Sequence, residues 1–489
     1  MRLLERLGHV GGAAVSAQAF DGVEVRLSRY SYLVSLLPSR IVEDLGASVR
    51  LAKRQYSSYT PDPGTAGRTG LLVGRPDTFG AIGAVCDESG FAAFYQRCRL
   101  VTKQLWPTLI EPLRTREQAR RHVLAGGRPD AATAWRAMVD EPIGHAIADA
   151  VSSDLVRGVI ATDALIGTFA RLDDPSLRQN ICFLYHVLGG GTGDWDVPVG
   201  GMGAVTTALA VAATRHGVEI TTGADVYAVE PDGRVRYRMG DDEHTVQGRF
   251  VLAGVTPAVL AGLLGEEPRR AAQGAQVKVN MVLRRLPRLR DNSVTPEQAF
   301  AGTFHVNETW TQLDAAYTEA AAGRLPDPVP CEAYCHSLTD PGIMSAGLRD
   351  SGAHTMTVFG LHTPDSLFTG TGSETLGERL TDAVLASLNS VLAEPIQDLL
   401  MSDAHGRACI ETTTTRDLHR TLGMTAGNIF HGGLSWPFAD DDPLDTPARQ
   451  WGVATTHARV MLCGSGARRG GAVSGIGGHN AAMAVLASL

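Results

Sequence analysis

The chain has few aromatic residues, few cysteines and no long apolar run. Aromatic residues make up 6% of its 489 residues, and its seven cysteines include no Cys-x-x-Cys pair. So few cysteines argue against a disulfide framework, and the missing pair argues against a redox dithiol. The longest uncharged apolar stretch, residues 250–265, is short for a bilayer span and contains Pro257. These absences predict a reduced, cytoplasmic protein without a transmembrane segment.

The charge balance narrows the classes of partner. The chain carries 44 basic and 52 acidic residues, a net charge of −8, and has no long basic run. This composition argues against nucleic acid as a partner. The first residues, Met1 to Glu5, become acidic too early for a signal peptide. A chain of 489 residues with 44% hydrophobic content is long enough for two or three domains.

Helical and strand patterns alternate in blocks along the chain. Residues 84–187 show helical spacing of apolar residues, and Asp173-Asp174-Pro175 predicts another helix start. Residues 202–215 predict a helix that leads into a strand at 218–222. A Pro-Asp-Gly turn at 231–233 predicts a hairpin. This succession is typical of an α/β fold.

The last thirty residues hold the densest cluster of glycines. An apolar strand at 460–463 runs into this loop, which precedes a helix predicted from Ala481 to Leu489. The candidate cofactor-binding residues here are Gly464, Gly475, Gly477, Gly478 and Asn480. Glycines let a backbone approach a ligand closely, and a helix start suits an anionic group. His479 and Asn480 are expected at that helix start, where they either cap the helix or bind cofactor oxygens.

The N-terminus offers a matching pattern. Glu5 closes an apolar segment, Gly11 and Gly12 follow, and Ser16 is placed to donate a hydroxyl group. An acid at a strand end, close to paired glycines, suits the ribose and pyrophosphate of a dinucleotide. The alternatives are a solvated terminal acid and a simple glycine turn. The two ends of the chain together predict a dinucleotide cofactor, FAD.

Four motifs carry a family resemblance. They are the Glu5…Gly11-Gly12 opening, Val197-Pro-Val-Gly-Gly-Met-Gly203, Gly427-Asn-Ile-Phe-His-Gly432 and the C-terminal glycine loop. In this order they resemble the phytoene-dehydrogenase-like flavoproteins of the amine oxidase superfamily. The chain is most similar to the group named pyridine nucleotide-disulfide oxidoreductase domain-containing protein 2. The similarity spans essentially the whole chain.

The resemblance implies a fold and an order of segments. The fold is a Rossmann-like FAD/NAD(P)-binding domain, with its first strand and helix absent, interleaved with an α+β substrate domain. The FAD-binding parts are 1–60, 193–275 and 406–489, and the substrate-domain parts are 61–192 and 276–405. The resemblance also places Val226 against the adenine, and Tyr30 and Tyr32 where the chain approaches the isoalloxazine ring.

One element of such a fold is not found in the sequence. A strand, a G-x-G-x-x-G turn and a helix precede the ribose-binding acid by about 20 residues in such folds. Here the acid is Glu5. The sequence therefore predicts that in-frame residues encoded ahead of Met1 supply this unit, and that residues 1–489 alone bind FAD poorly. A chain that has lost the unit and cannot hold the cofactor is the alternative.

The resemblance predicts an FAD-dependent oxidoreductase, of the dehydrogenase or desaturase type, acting on a small hydrophobic, isoprenoid-like or carotenoid-like substrate. A non-catalytic interaction protein and a flavin amine oxidase are the alternatives. His431 is the best polar candidate for catalysis, although a lone histidine is more often structural. No metal is predicted, because Cys331-x-x-x-Cys335-His336 has no second ligand pair and is typical of a strand with cysteines on one face. Peripheral membrane contact and the oligomeric state stay open.

Overall fold

A computed structural model describes residues 1–268, 270–369 and 373–489 of the chain, which form a mixed α/β fold. The strands in these ranges are β1 Arg2–Glu5, β2 Ser16–Ala17, β3 Leu27–Ser28, β4 Leu51–Ala52, β5 Ser58–Pro61, β6 Gly70–Val73, β7 Val197–Pro198, β8 Glu219–Thr222, β9 Asp225–Val229, β10 Arg234–Met239, β11 Asp242–Gln247, β12 Val251–Ala253, β13 Gln276–Leu283, β14 Thr303–Val306, β15 Cys331–Tyr334, β16 His354–Leu361, β17 Ile410–Thr413 and β18 Val460–Leu462. The helices are α1 Ser39–Leu45, α2 Val85–Leu105, α3 Arg116–Leu124, α4 Ala131–Trp135, α5 Ile143–Ala150, α6 Asp154–Ala161, α7 Arg178–Leu188, α8 Met202–Arg215, α9 Pro257–Leu263, α10 Pro296–Phe300, α11 Trp310–Ala321, α12 His336–Thr339, α13 Ala346–Asp350, α14 Leu376–Asn389, α15 Thr415–Leu422, α16 Pro447–Gln450 and α17 Ile476–Ala487.

Two parallel strand pairs form one half of the fold. Strand β1 pairs with β8, and β12 pairs with β18. Parallel neighbours need long crossover connections, and here these connections contain helices and strands of the other half of the fold. Leu4 of β1 packs in one apolar cluster with Val226, Val251 and Leu462. This parallel arrangement confirms the Rossmann-like prediction.

A seven-stranded sheet forms the other half of the fold. Its strand order is β17-β13-β16-β15-β14-β5-β6, and only the β14–β5 pairing is parallel. Every residue of β13 is buried, because α14 packs on this sheet and the sheet is covered on its other face. Two polar side chains of β13, Lys278 and Asn280, are therefore buried as well.

A helical layer formed by α2 to α7 packs beside this sheet. Its core contains Trp135, Val156 and Phe183, all at most 1% exposed. The predicted helix start at Asp173-Asp174-Pro175 was wrong, because α7 begins at Arg178. Asp174 instead accepts a hydrogen bond from the Ser176 amide at 2.8 Å, which closes a turn. Leu177 has a left-handed backbone, with φ of 59°, and delays the helix further.

The C-terminal helix also begins earlier than predicted. Gly475, with φ of 69°, is the residue before α17, and the helix starts at Ile476. His479 and Asn480 therefore lie inside the helix and do not cap it. The left-handed backbone at Gly475 requires a residue without a Cβ, which explains why glycine holds the position.

The five predicted segments distribute over the two halves as follows. The parallel pairs come from residues 1–60, 193–275 and 406–489, and most of the large sheet comes from 61–192 and 276–405. However, β5 starts at Ser58, and β17 lies within 406–489 although it pairs with β13. The exact boundaries stay a prediction. Across the described ranges, helices with enough length and apolar character to cross a bilayer are absent.

Candidate functional site

A cavity of about 650 Å³ lies where the two halves of the fold meet. Strands β13 to β16 form one wall, and α2, α6 and α7 form the opposite wall. The segment around Tyr30 and Tyr32, the loop at 429–431 and the C-terminal loop at 471–473 close one end. A cavity of this volume, at the junction of two halves, is typical of a small-molecule site.

The helical wall of the cavity has an apolar part beside the polar side chains of Gln96, Arg99 and His186. Phe91 and Tyr95 of α2 pack edge to face at 5.0 Å between ring centroids, and Val159 of α6 lies beside them on the cavity wall. Ile429 and Phe430 continue this apolar surface toward the C-terminal loop. An apolar ligand portion would be held here and shielded from water.

The sheet wall, in contrast, carries a cluster of ionisable groups. Glu332 of β15 accepts hydrogen bonds from the Tyr334 hydroxyl and, at 3.1 Å, from the Thr162 hydroxyl. His305 Nδ1 lies 2.6 Å from Glu308 and 3.8 Å from Glu332. Ligand-capable atoms of these two carboxyls and His305 lie within 4.8 Å of one another.

Burial controls the protonation of this cluster. Loss of solvation, reinforced by the neighbouring Glu308, raises the pKa of Glu332 to about 7. Burial also raises the pKa of Asp163, on the same wall, to about 6, against the opposing effect of His305. The pKa of Glu308 is raised by burial, whereas that of His305 is lowered by it. The carboxyls of this wall therefore hold protons at a higher pH than ordinary carboxyls do.

Sequence reasoning missed this cluster. Glu332 lies 27 residues after His305 and 169 residues after Asp163, and the pairing of β14 with β15 and the adjacent turn at 162–164 bring these residues together. One signal was available. Glu332 and His305 interrupt strands that are otherwise apolar or small, and charged residues are seldom buried without a partner.

A buried lysine stands on the same sheet. Lys278 of β13 donates hydrogen bonds to the carbonyls of Ser28 at 2.6 Å and Tyr30 at 2.8 Å. Its Nζ lies 4.7 Å from the centroid of the Tyr32 ring. Burial lowers the pKa of Lys278 well below its usual value. Lys278 thus fixes the segment that contains Tyr30 and Tyr32 against the cavity.

The predicted N-terminal cofactor residues lie on one side of this junction. Glu5 ends β1 and accepts a hydrogen bond from the Leu7 amide at 2.8 Å. A Cβ on Gly11 would come within 2.7 Å of the Thr206 side chain, so Gly11 is needed for contact with α8. A Cβ on Gly12 would meet nothing within 4 Å, and φ there is 54°. Gly12 therefore faces open space next to the predicted phosphate position.

Ser16 is engaged with the start of α8. Its hydroxyl oxygen accepts a hydrogen bond from the Gly203 amide at 2.9 Å, and Ser28 does the same for Met202 at 3.0 Å. These two serines satisfy the first amides of the helix. The Ser16 hydroxyl still has its own proton to donate, as predicted for a phosphate contact. Val226 lies half-buried in β9, paired with Tyr237.

The C-terminal glycines have different roles in packing. A Cβ on Gly464 would come within 2.8 Å of the Gly254 carbonyl, and one on Gly477 within 2.5 Å of the Gly464 carbonyl. These two glycines are therefore required by the fold itself. A Cβ on Gly478 would have no neighbour closer than 3.8 Å. Asn480 is fully buried and donates to the Leu109 carbonyl at 3.2 Å, while its Oδ1 has no partner in the described ranges.

His431 is the predicted site residue that lines the cavity directly. Its backbone is left-handed, with φ of 62°, and its Nδ1 is buried without a hydrogen-bond partner among the described residues. Burial lowers its pKa. Ala13, next to Gly12, and Ser465, next to Gly464, line the same cavity. The two glycine-rich segments and His431 thus converge on one site.

The residues at this junction fit a dinucleotide cofactor. Open space in front of Gly12, an unpartnered buried oxygen on Asn480 and an unpartnered buried nitrogen on His431 all leave room and hydrogen-bonding capacity for a ligand. The groups offered to the cofactor are backbone amides, neutral side chains and the Glu5 carboxylate, as in other dinucleotide sites.

Comparisons with known proteins agree with this geometry. The sequence profile described as "Flavin containing amine oxidoreductase" matches residues 90–325. An uncharacterized protein of Mycobacterium tuberculosis is 76% identical over 498 aligned residues, which cover 100% of this chain and 93% of that protein. The rat pyridine nucleotide-disulfide oxidoreductase domain-containing protein 2 is 28% identical, with 100% and 89% covered.

The fold is also that of solved enzymes. Cyclohexylamine oxidase from Brevibacterium oxydans superposes with a TM-score of 0.54 and 14% identity, over 99% of this chain and 92% of that chain. At this identity the match supports the fold alone. The prediction of a flavin cofactor is confirmed at the level of the family, and the predicted similarity to the rat protein is confirmed as a distant one.

Proposed function

We propose that the chain is an FAD-dependent oxidoreductase of the dehydrogenase type, acting on a hydrophobic substrate, and the match of residues 90–325 to the flavin-containing amine oxidoreductase profile supports this proposal. The observation that carries the proposal is the convergence of both glycine-rich segments on the 650 Å³ cavity. The substrate class rests on the resemblance to phytoene-dehydrogenase-like proteins and on the apolar part of the helical wall. The cytoplasmic location is part of the same proposal.

FAD, when bound, supplies the acceptor for a hydride. We propose that Glu5 binds the ribose, that Gly11, Gly12 and Ser16 bind the phosphates, and that the backbone of Val226 contacts the adenine. Gly464, Gly475, Gly477, Gly478 and Asn480 complete the contacts from the C-terminal side. In this proposal Lys278 holds the Tyr30–Tyr32 segment in place, and the apolar part of the helical wall excludes water from the reacting atoms.

The experiment on the cofactor site uses two glycine variants. Gly12→Val adds a side chain in the open space at the proposed phosphate site. Gly240→Val is the matched control, because Gly240 has φ of 61° and also has nothing within 4 Å of its Cβ, but lies in the β10–β11 turn. The strain of a side chain at positive φ is thus similar in both variants. FAD titration followed by protein fluorescence should show at least a tenfold loss of affinity for Gly12→Val only.

Equal FAD affinities for the two variants would remove Gly12 from the cofactor site. If neither the variants nor the unsubstituted protein bound FAD, the alternative of a non-catalytic interaction protein would be favoured.

A flavin amine oxidase is the second candidate function. The observation that favours it is the sheet wall, where Asp163 and Glu332 lie with the rings of Tyr32 and Tyr334. Carboxylates and aromatic faces together are suited to a protonated amine. Thermal-shift measurements with squalene in detergent micelles and with benzylamine distinguish the two. We expect stabilisation by squalene, and stabilisation by benzylamine alone would favour the amine oxidase.

A further inference from the structure

An oxidation by hydride transfer leaves a proton to be removed from the substrate, and the cavity wall offers a group placed for it. Glu332 is 1% exposed and lines the cavity. Both of its carboxyl oxygens are oriented, one by the Tyr334 hydroxyl and the other by the Thr162 hydroxyl at 3.1 Å. A carboxyl group fixed in this way holds its position toward the substrate.

The groups around Glu332 come from several elements. They are Tyr334 and Cys331 of its own strand, His305 and Glu308 from the β14 side, Asp163 next to α6, Cys182 and His186 of α7, Tyr32 and Arg54. In the described ranges, ion pairs with lysine or arginine are not found for Asp163, Glu308 or Glu332. Glu308 and Glu332 each lie within 4 Å of His305 instead. A nearby cation is Arg54, which lines the same cavity and favours the charged form of Asp163.

A second feature of this cluster is a buried carboxyl oxygen without a hydrogen-bond partner in the described part of the chain. Glu308 Oε1 is buried, on a residue 1% exposed, and has no hydrogen-bond partner among the described residues. Its other oxygen lies 2.6 Å from His305 Nδ1, which is 3.8 Å from Glu332 Oε1. Glu332 and His305 thus line the cavity, and Glu308 lies behind His305.

We propose that Glu332 is the catalytic base, which accepts the proton that the substrate loses, and that His305 and Glu308 are positioning residues packed against it. The inference rests on the proposed function. One substrate C–H bond breaks and passes its hydrogen with both electrons to the flavin, which is the oxidant. A neighbouring C–H or N–H bond gives its proton to the Glu332 carboxylate, and its electron pair forms the new double bond. The substrate is oxidised by two electrons.

Glu332 is a better base than its neighbours for geometric reasons. Glu308 stands behind His305 and is not part of the cavity lining. Asp163 lines the cavity, but none of the hydrogen bonds found in the described ranges orients its carboxyl group. Glu332 combines access to the cavity with oriented oxygens. Tyr334 and Thr162 are positioning residues in this account.

Infrared titration tests whether Glu332 exchanges a proton in the native protein, without substrate or cofactor turnover. The native protein should show a carbonyl-stretch band of a protonated carboxyl group that disappears as pH rises through neutrality. Glu332→Gln should lose part of the intensity of this band, and the protonated carboxyl groups of Asp163 and Glu308 should supply the rest. Glu394→Gln is the matched control, since Glu394 is also largely buried but is paired with Arg285 and Arg288 on a different surface. It should keep the band, and a band unaffected by Glu332→Gln would overturn the proposal.

Stopped-flow reduction of the bound flavin under anaerobic conditions tests the role in catalysis. The probes are squalene in detergent micelles and benzylamine. Whichever probe reduces the unsubstituted enzyme should do so faster as pH rises, with a plateau above neutrality. Glu332→Gln should be about 100-fold slower and insensitive to pH across this range. Glu332→Asp should recover part of the rate, whereas an unchanged rate for Glu332→Gln would overturn the proposal.

Two further outcomes are informative. A metal ion retained at one per chain by the native protein, and lost in Glu332→Gln, would also overturn the proposal, because His305, Glu308 and Glu332 would then be ligands. Absence of bound flavin would mean failure of the proposed function instead. The infrared titration still decides in that case whether Glu332 holds an exchangeable proton, and a missing band overturns the inference independently.

Discussion

Replacing Glu332 with glutamine should change how the stability of the protein depends on pH. In the folded protein, burial and Glu308 raise the pKa of Glu332 from 4.5 to about 7. A raised carboxyl pKa means that the folded state binds the proton more tightly than the unfolded chain. The stability linked to this group is therefore fully present below pH 4.5 and is lost as pH rises to about 7.

The size of the effect follows from the two pKa values. A pKa raised from 4.5 to about 7 corresponds to roughly 3 kcal/mol of unfolding free energy. For 489 residues that unfold cooperatively, this amounts to about 3 °C in Tm. Glu332→Gln has no proton to lose at this position. The Tm of the variant minus the Tm of the unsubstituted protein should therefore increase by this amount as pH rises from 4.5 to 8.

Differential scanning fluorimetry across this pH range measures the difference. Glu394→Gln provides a control of opposite kind, because the Arg285 side chain lowers the pKa of Glu394 to about 2. The stabilisation by Glu394 is fully present above its unfolded pKa, so its loss should lower Tm by a constant amount from pH 5 to pH 8. Parallel pH profiles for Glu332→Gln and the unsubstituted protein would refute the reasoning about burial.

Other substitutions test the packing and the site. Lys278→Met should lower the unfolding free energy by about 2–5 kcal/mol in urea titrations, because two buried carbonyls lose their donor, and an unchanged midpoint would contradict this. Gly158→Ala should lower the unfolding free energy by more than about 3 kcal/mol, since its Cβ would lie 1.8 Å from the Glu308 carbonyl. Gly347→Ala is the control, because its Cβ would meet nothing within 4 Å, and it should change the unfolding free energy by less than about 1 kcal/mol. His431→Asn should keep Tm nearly constant, because asparagine tolerates a left-handed backbone. The variant should bind FAD more weakly in a fluorescence titration. An unchanged FAD affinity would place His431 outside the site.

Local patterns made several elements predictable from the sequence. The helix at 202–215 was predicted with both ends correct, because glycines precede it and small apolar residues fill it. The hairpin at the Pro-Asp-Gly turn was also confirmed, with Gly233 at φ of 98° between β9 and β10. In these elements the decisive interactions lie within a few residues of one another.

The missed features depend on contacts that are distant along the chain or on competing local bonds. The helix predicted at residue 173 was delayed because the Asp174 side chain closes a turn. The cluster around Glu332 was missed because strand pairing brings His305 beside Glu332, and the packing of the helical layer on the large sheet then adds Asp163. Nothing in their spacing along the sequence indicates that proximity.

Anaerobic reduction of the bound flavin tests the central claim most directly. The protein is loaded with FAD, oxygen is removed, and the visible absorbance is followed after addition of squalene in detergent micelles or of benzylamine. The account predicts that the polyene bleaches the flavin and that the amine leaves its spectrum unchanged. A flavin bleached by the amine alone would contradict the proposed substrate class. A protein that holds no flavin would contradict the proposed function altogether.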